Sequence, residues 1–159
     1  GNGNHAPGPE PRMIDVRLAR IVIREEDDRQ YIYLTERDGP RGFPIVIGTH
    51  EALEIDRVVK NSHPARPLTH QLAYSMIEAL AAELKRCDIT DLRDGTFFAQ
   101  LVLRSKDGGS TVVVDARPSD AIAIALRARC GIRVAESVLE EVRTDQGPDV
   151  LPGDGETAE

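Results

Sequence analysis

Asp115-Ala116-Arg117-Pro118-Ser119-Asp120 places two carboxylates, a guanidinium and a hydroxyl within six residues. The segment lies where a β-branched run, Thr111-Val112-Val113-Val114, gives way to an apolar helix from Ala121 to Leu126. Loops that leave a strand and open a helix suit anionic ligands, because the first helical N–H groups lack intrahelical partners. Arg117 adds a planar fork that matches phosphate or carboxylate. The same residues also read as a plain helix start. Ser119 would then be the N-cap, with Pro118 just outside the helix and Asp120 favoured by the dipole. Arg117 would pair with Asp115.

The elements that must position this segment can be read from the apolar periodicity. Met13–Arg24 alternates as a long strand with a phase change near Ala19-Arg20, the mark of a bulge. Strands are predicted at Gln30–Thr35 and Phe43–Ile47, the second buried on both faces. Gly48-Thr49 opens a helix through about Lys60, with Glu51 in its first turn and Ala52, Ile55, Val58 and Val59 inward. Thr69 is predicted to cap a helix from His70 to Arg86, on a stripe of Leu72, Ala73, Met76, Ile77, Leu80, Ala81 and Leu84. Cys87–Leu92 and Thr96–Arg104 read as a hairpin around Asp94-Gly95, a type I′ turn signal. The helix Ser119–Arg129 is apolar nearly all round and therefore buried, with Gly131 as its stop. A strand at Ile132–Ala135 and a short helix at Glu136–Val142 follow. The order of strands and helices predicts an α+β fold, a mixed β-sheet with packed helices in a single domain.

Charge divides the chain. The net charge is −7, but residues 144–159 hold five acids and no Lys or Arg, and the remaining core, 13–143, carries −2. Such a core has no strongly basic face for non-specific DNA binding. The expected organisation is a flexible arm over 1–12, a domain over 13–143 and a disordered acidic tail over 144–159. No apolar run is long enough to span a bilayer, and the Gly/Asn/Pro-rich start has no secretory core. Cys87 and Cys130 have neither disulfide-framework nor metal-ligand spacing, which makes a cytoplasmic setting the expectation.

Five blocks together resemble the bifunctional nuclease domain family. They are Phe43-Pro44-Ile45-Val46-Ile47-Gly48 with Glu51-Ala52, Arg66-Pro67-Leu68-Thr69-His70, Asp91-Leu92 with Asp94-Gly95-Thr96-Phe97, Asp115 to Ala121, and Val134-Ala135-Glu136-Ser137-Val138-Leu139. The resemblance covers roughly Met13 to Val142. It implies a homo-oligomer, a dimer first of all, and cleavage of both DNA and RNA with little sequence preference. Gln71 departs from a frequent acid of the family, and Leu80-Ala81-Ala82 from a common Leu-Gly-Ala.

Phosphodiester hydrolysis needs an activated water, neutralised phosphate charge and a protonated leaving oxygen, often with divalent ions. On this reading Asp115, Arg117, Asp120, His70 and Asp91 are the catalytic candidates. Arg66, Thr69, Ser119 and Thr96 are candidates for holding substrate. Glu51 and Asp94 are candidate ligands for Mg²⁺ or Mn²⁺, with no organic cofactor expected. Structural roles compete at several positions: Asp94-Gly95 as a turn, Thr69 as a cap, Glu51 as a dipole partner, and Arg66-Pro67 as a loop brace. The alternative function is a non-catalytic oligomeric module that binds an anionic ligand or a partner protein at 115–121. Six Phe and Tyr in all, and no Trp, argue against a base-stacking groove.

Overall fold

A computed structural model describes residues 10–144 and 157–159. Among them, one mixed seven-stranded sheet runs in the order β3-β2-β1-β7-β4-β5-β6. Its strands are β1 (Met13–Val22), β2 (Arg29–Glu36), β3 (Gly42–Gly48), β4 (Ala82–Arg93), β5 (Thr96–Ser105), β6 (Thr111–Ala116) and β7 (Gly131–Ala135). The helices are α1 (Thr49–Val59), α2 (Thr69–Ala79), α3 (Pro118–Ala128) and α4 (Glu136–Val142). The α+β, mixed-sheet reading is what the structure shows.

Two antiparallel meanders, β1-β2-β3 and β4-β5-β6, make up most of the sheet. Strand β7 joins them, antiparallel to β1 and parallel to β4. The sheet curls strongly. Strands β3 and β5 stand five steps apart, which would separate them by roughly 24 Å in a flat sheet. Instead the rings of Phe43 and Phe97 meet with centroids 5.6 Å apart. Helix α3 lies against this curl, with Ala121, Ile122, Ala123 and Ala125 fully buried, while α1 and α2 pack against it. Its small side chains permit that close approach.

Local chemistry explains most of the register. The β1–β2 pairing shifts between Leu18 and Arg20, at the predicted phase change. Asp94 and Gly95 both have positive φ, 50° and 77°, as a type I′ turn requires. Three expectations change. Helix α2 ends at Ala79 rather than Arg86, and Ala81 is left-handed with φ 55°. Leu84 and Cys87, whose spacing continues the helical stripe, instead face the core from β4. Helix α3 stops at a left-handed Arg129, before Gly131. Pro118 is inside α3 at its first turn, and Arg117, not Ser119, is the cap residue.

The predicted N-terminal arm lies largely outside the described residues, as does the acidic tail over 145–156. The described ends are paired. Glu136 N–H donates to the Arg12 carbonyl at 2.8 Å, and Thr144 exchanges backbone hydrogen bonds with Gly42. Thr157-Ala158-Glu159 runs along Val46 of β3 and the start of β5, with Ala158 parallel to both Val46 and Thr96. These three residues are half-buried, and their backbone groups find partners in the gap that the curled sheet leaves. No helix among the described residues is long and apolar enough to cross a membrane.

Candidate active site

Three helix starts converge on one cluster. Glu51 lies in the first turn of α1, His70 in that of α2, and Asp120 in that of α3, with Arg117 just before it. The positive ends of three helix dipoles favour acidic side chains and anionic ligands there. None of these helices has a side-chain cap, so the cluster's polar groups are spent on each other.

Arg117 is the hub. Its Nε donates to Asp120 Oδ2 at 3.0 Å, and its Nη2 to Glu51 Oε1 at 3.1 Å. The other oxygen of Asp120 takes His70 Nε2 at 2.6 Å. On the far side of the imidazole, Nδ1 stands 3.6 Å from Glu54 Oε2. Both of those atoms are buried with no hydrogen-bond partner among the described residues. The second oxygen of Glu54 pairs with Arg57. A cleft of about 340 Å³ opens beside the imidazole, lined by His50, Glu51, Glu54, Arg57, Thr69 and His70.

The start of α3 also holds an anion. Ser119 is buried, and its N–H and Oγ–H donate to the two carboxylate oxygens of Glu159, at 2.8 and 2.6 Å. Arg117 Nη1 lies 3.7 Å from the same carboxylate.

These contacts bias the protons. The hydrogen bond to Asp120 raises the His70 pKa, against the opposing effect of burial, and Glu54 and Glu51 add to the rise. Asp120 is held below the usual carboxylate range, first by His70 and then by Arg117. Burial pushes the Glu159 carboxyl up, while Ser119 and Arg117 pull it back. The result is an imidazole held between carboxylates that favour its protonated form, next to a guanidinium and two helix-start donors. Such a group can hand its Nε2 proton to a leaving oxygen only where that oxygen displaces Asp120 Oδ1 as the acceptor, because Nδ1 is buried against Glu54.

Residues 32–147 match the bifunctional nuclease domain. The chain belongs to the bifunctional nuclease domain family. It is 40% identical over 129 residues to an uncharacterized protein of Mycobacterium tuberculosis strain H37Rv, covering 81% of this chain and 76% of that protein. It is also 33% identical over 134 residues to bifunctional nuclease 1 of Arabidopsis thaliana, and 30% identical over 119 residues to bifunctional nuclease 2 of Oryza sativa subsp. japonica. Those matches cover 83% and 74% of this chain, but only 36% and 34% of the plant proteins.

Within this bifunctional nuclease domain, the structure gathers Glu51, His70, Arg117, Ser119 and Asp120, and Thr69 lines the cleft beside His70. Four acids and bases singled out in the sequence lie elsewhere. Asp115 is exposed on edge strand β6 opposite Gln100, and it does not pair with Arg117. Asp91 is exposed on β4 and, among the described residues, reaches only Arg93, at 3.7 Å. Asp94 occupies its hairpin turn, with no contact to Glu51, so the two do not form a metal site as placed. Arg66 is exposed in the α1–α2 connection, without a hydrogen bond or ion pair among the described residues. Thr96 pairs with Ala158 rather than facing the cleft. No group of three or more His, Cys, Asp or Glu among the described residues is arranged to hold a metal ion.

Glu54, Arg57 and Glu159 were not singled out in the sequence. Glu51, Glu54 and Arg57 follow at three-residue steps on one face of α1, a signal that was legible. Glu159 had none, being one acid among many in a charged tail.

Proposed function

We propose that this bifunctional nuclease domain hydrolyses phosphodiester bonds of DNA and RNA at the converging helix starts. The observation that carries the reading is the 2.6 Å His70–Asp120 hydrogen bond, made by the same Asp120 that grips Arg117. Arg117 and the Ser119 donors hold phosphate oxygens, and the charged His70 protonates the leaving oxygen. Glu51, which lines the cleft, accepts a proton from the attacking water. These groups address phosphate rather than base edges, which supports cleavage of both nucleic acids with little sequence preference. Further along the same helices, Arg57, Arg127 and Arg129 line a second groove, and Arg127 Nε and Nη2 are buried there without partners among the described residues. That supports contact with a neighbouring stretch of backbone.

Assistance by Mg²⁺ or Mn²⁺ is a separate proposal. The carboxylates as placed do not fit an ion, because each of Glu51, Glu54 and Asp120 already faces Arg117, Arg57 or His70. Its test is cleavage by chelator-treated protein before and after either ion is restored.

Homodimerisation is likewise proposed, through β6. This edge strand exposes Val112, Val113 and Val114, and a second copy pairing edge to edge would satisfy its open backbone groups and set these valines beside their counterparts by two-fold symmetry. Sedimentation should show a dimer that Val113→Lys converts to monomer.

Cleavage of labelled single- and double-stranded substrates by His70→Asn, Asp120→Asn and wild type, purified in parallel, tests the catalytic reading. Equal rates would defeat it. The alternative, a non-catalytic anion-binding module, is favoured by one observation: the α3 start already grips a carboxylate without any chemistry. Phosphate binding without cleavage would select it.

A further inference from the structure

The carboxylate of Glu159 sits where a phosphate would have to sit. Its two donors come from one buried residue, the N–H and hydroxyl of Ser119, and the Arg117 guanidinium faces it as an ion pair at 3.7 Å. This grip resembles an oxyanion seat, with one donor for each oxygen at a helix start. The side chain of Glu159 is only 6% exposed, and Asp120 and Glu51 share the same guanidinium. Burying a third carboxylate beside one arginine is costly, and the Ser119 and Arg117 donors offset part of that cost, so the seat is built for an acidic oxygen pair but does not hold this one at full strength.

The backbone delivers that side chain by strand pairing. Ala158 N–H donates to Gly95 O at 3.0 Å, and Phe97 N–H to Ala158 O at 2.9 Å. On the other side, Val46 N–H donates to Thr157 O at 3.2 Å. The tripeptide therefore fills the slot between β3 and the β4–β5 turn as an added strand. Backbone pairing of this kind holds any extended peptide, and selectivity comes from the side chain that lands in the seat. Here that side chain is an acid, drawn from a stretch rich in acids and free of Lys and Arg.

We propose that Thr157-Ala158-Glu159 is a built-in substrate mimic, whose Glu159 carboxylate occupies the phosphate seat of Ser119 and Arg117 and must leave before a nucleic acid binds. The proposal rests on the reading of these residues as a phosphate site, and it makes occupancy of the seat the regulated quantity. Carboxylate and phosphate exclude each other, so a docked fraction above about nine-tenths weakens apparent substrate affinity at least tenfold.

The test uses the full chain, Glu159→Ala, and a variant lacking 157–159. Inorganic phosphate binding is measured by calorimetry, and binding of a labelled single-stranded phosphorothioate oligonucleotide by anisotropy. Glu159→Ala leaves the backbone pairing intact, and a melting curve checks that it folds like wild type. Both variants should bind both probes about tenfold more tightly. A synthetic peptide of residues 155–159, added at millimolar concentration, should compete on the truncated variant. Affinities unchanged or weakened in Glu159→Ala, or no competition by the peptide, would overturn the proposal. If Glu159→Ala binds phosphate more tightly while no form cleaves, the nuclease reading fails and the mimic stands. If wild type cleaves and the affinities do not move, the mimic fails and the nuclease reading stands.

Discussion

Two arginines organise carboxylates in this molecule, and they do opposite things. Arg41 receives Glu36, Glu136 and Glu140, and five of its hydrogen bonds to them measure between 2.6 and 3.1 Å. Its side chain is 13% exposed, and it ties the turn before β3 to α4. Arg117 also meets three carboxylates, from α1, α3 and the Thr157–Glu159 strand, yet it is 53% exposed. A guanidinium with every donor spent is a rivet. One that stays accessible, shares its acids with a histidine and holds a displaceable carboxylate can exchange partners. Residue type is the same in both, so accessibility and a nearby titratable group separate the tie from the site.

The widest break in that comparison should come at the open arginine. Arg117→Ala and Asp120→Asn are expected to slow cleavage by roughly 10²–10⁴-fold, the usual worth of a positioned proton donor, with a smaller loss of thermal midpoint than Arg41→Ala shows. Initial rates beside melting curves check both halves. Arg41→Ala should do the reverse. Losing several charged hydrogen bonds is expected to cost about 2 kcal/mol of stability, seen as a lower urea midpoint, while cleavage by the folded fraction persists.

Proton dependence sharpens the contrast further. The His70 pKa is raised in the folded state, so its pairing stabilises fully below the ordinary value of about 6.5 and is lost as pH rises through the higher folded value. Asp120 is lowered, so its contribution is present above the ordinary carboxylate range and lost on acidification through its folded pKa. Wild type should therefore lose stability and cleavage rate together on the alkaline side, and His70→Asn should lose that limb of the stability profile. Around Arg41 the shifts of Glu36 and Glu136 are downward, so that network should stay level over the same range. The smallest effect is expected at Asp115. Asp115→Asn should leave rate and stability unchanged within error, since the side chain is exposed and outside the cluster.

The legible parts of this protein were those written in short-range pattern. Alternation located β1 with its bulge, Asp94-Gly95 located a hairpin, and the all-round apolar run located the buried α3. Helix starts also marked residues that the fold brings together, because Glu51, His70 and Asp120 each stand in a first turn where orphan N–H groups and dipole gather. Acids in strands and turns misled. Asp91, Asp94 and Asp115 have the right chemistry, but whether they meet the cluster depends on sheet order and curl, which no local pattern encodes. Helix α2 was overextended because Leu80, Ala81 and Leu84 satisfy a helical period up to the left-handed break at Ala81. The curl that lets Glu159 reach Ser119 is long-range and left no trace in the tail's composition.

The placement of β7 carries a consequence for assembly. Every other neighbour in the sheet is a neighbour in sequence, so each meander can zip up locally. The seam between them waits for Gly131–Ala135, near the end of the described domain. As the chain emerges during synthesis, Met13–Val22 and Ala82–Arg93 each keep one flank unpaired until that late strand inserts between them. Non-local pairing of this kind slows folding and leaves edges open to wrong partners in the meantime. The molecule is thus finished by its latest strand, and a ribosome stalled before residue 131 would hold two half-sheets with nothing to join them.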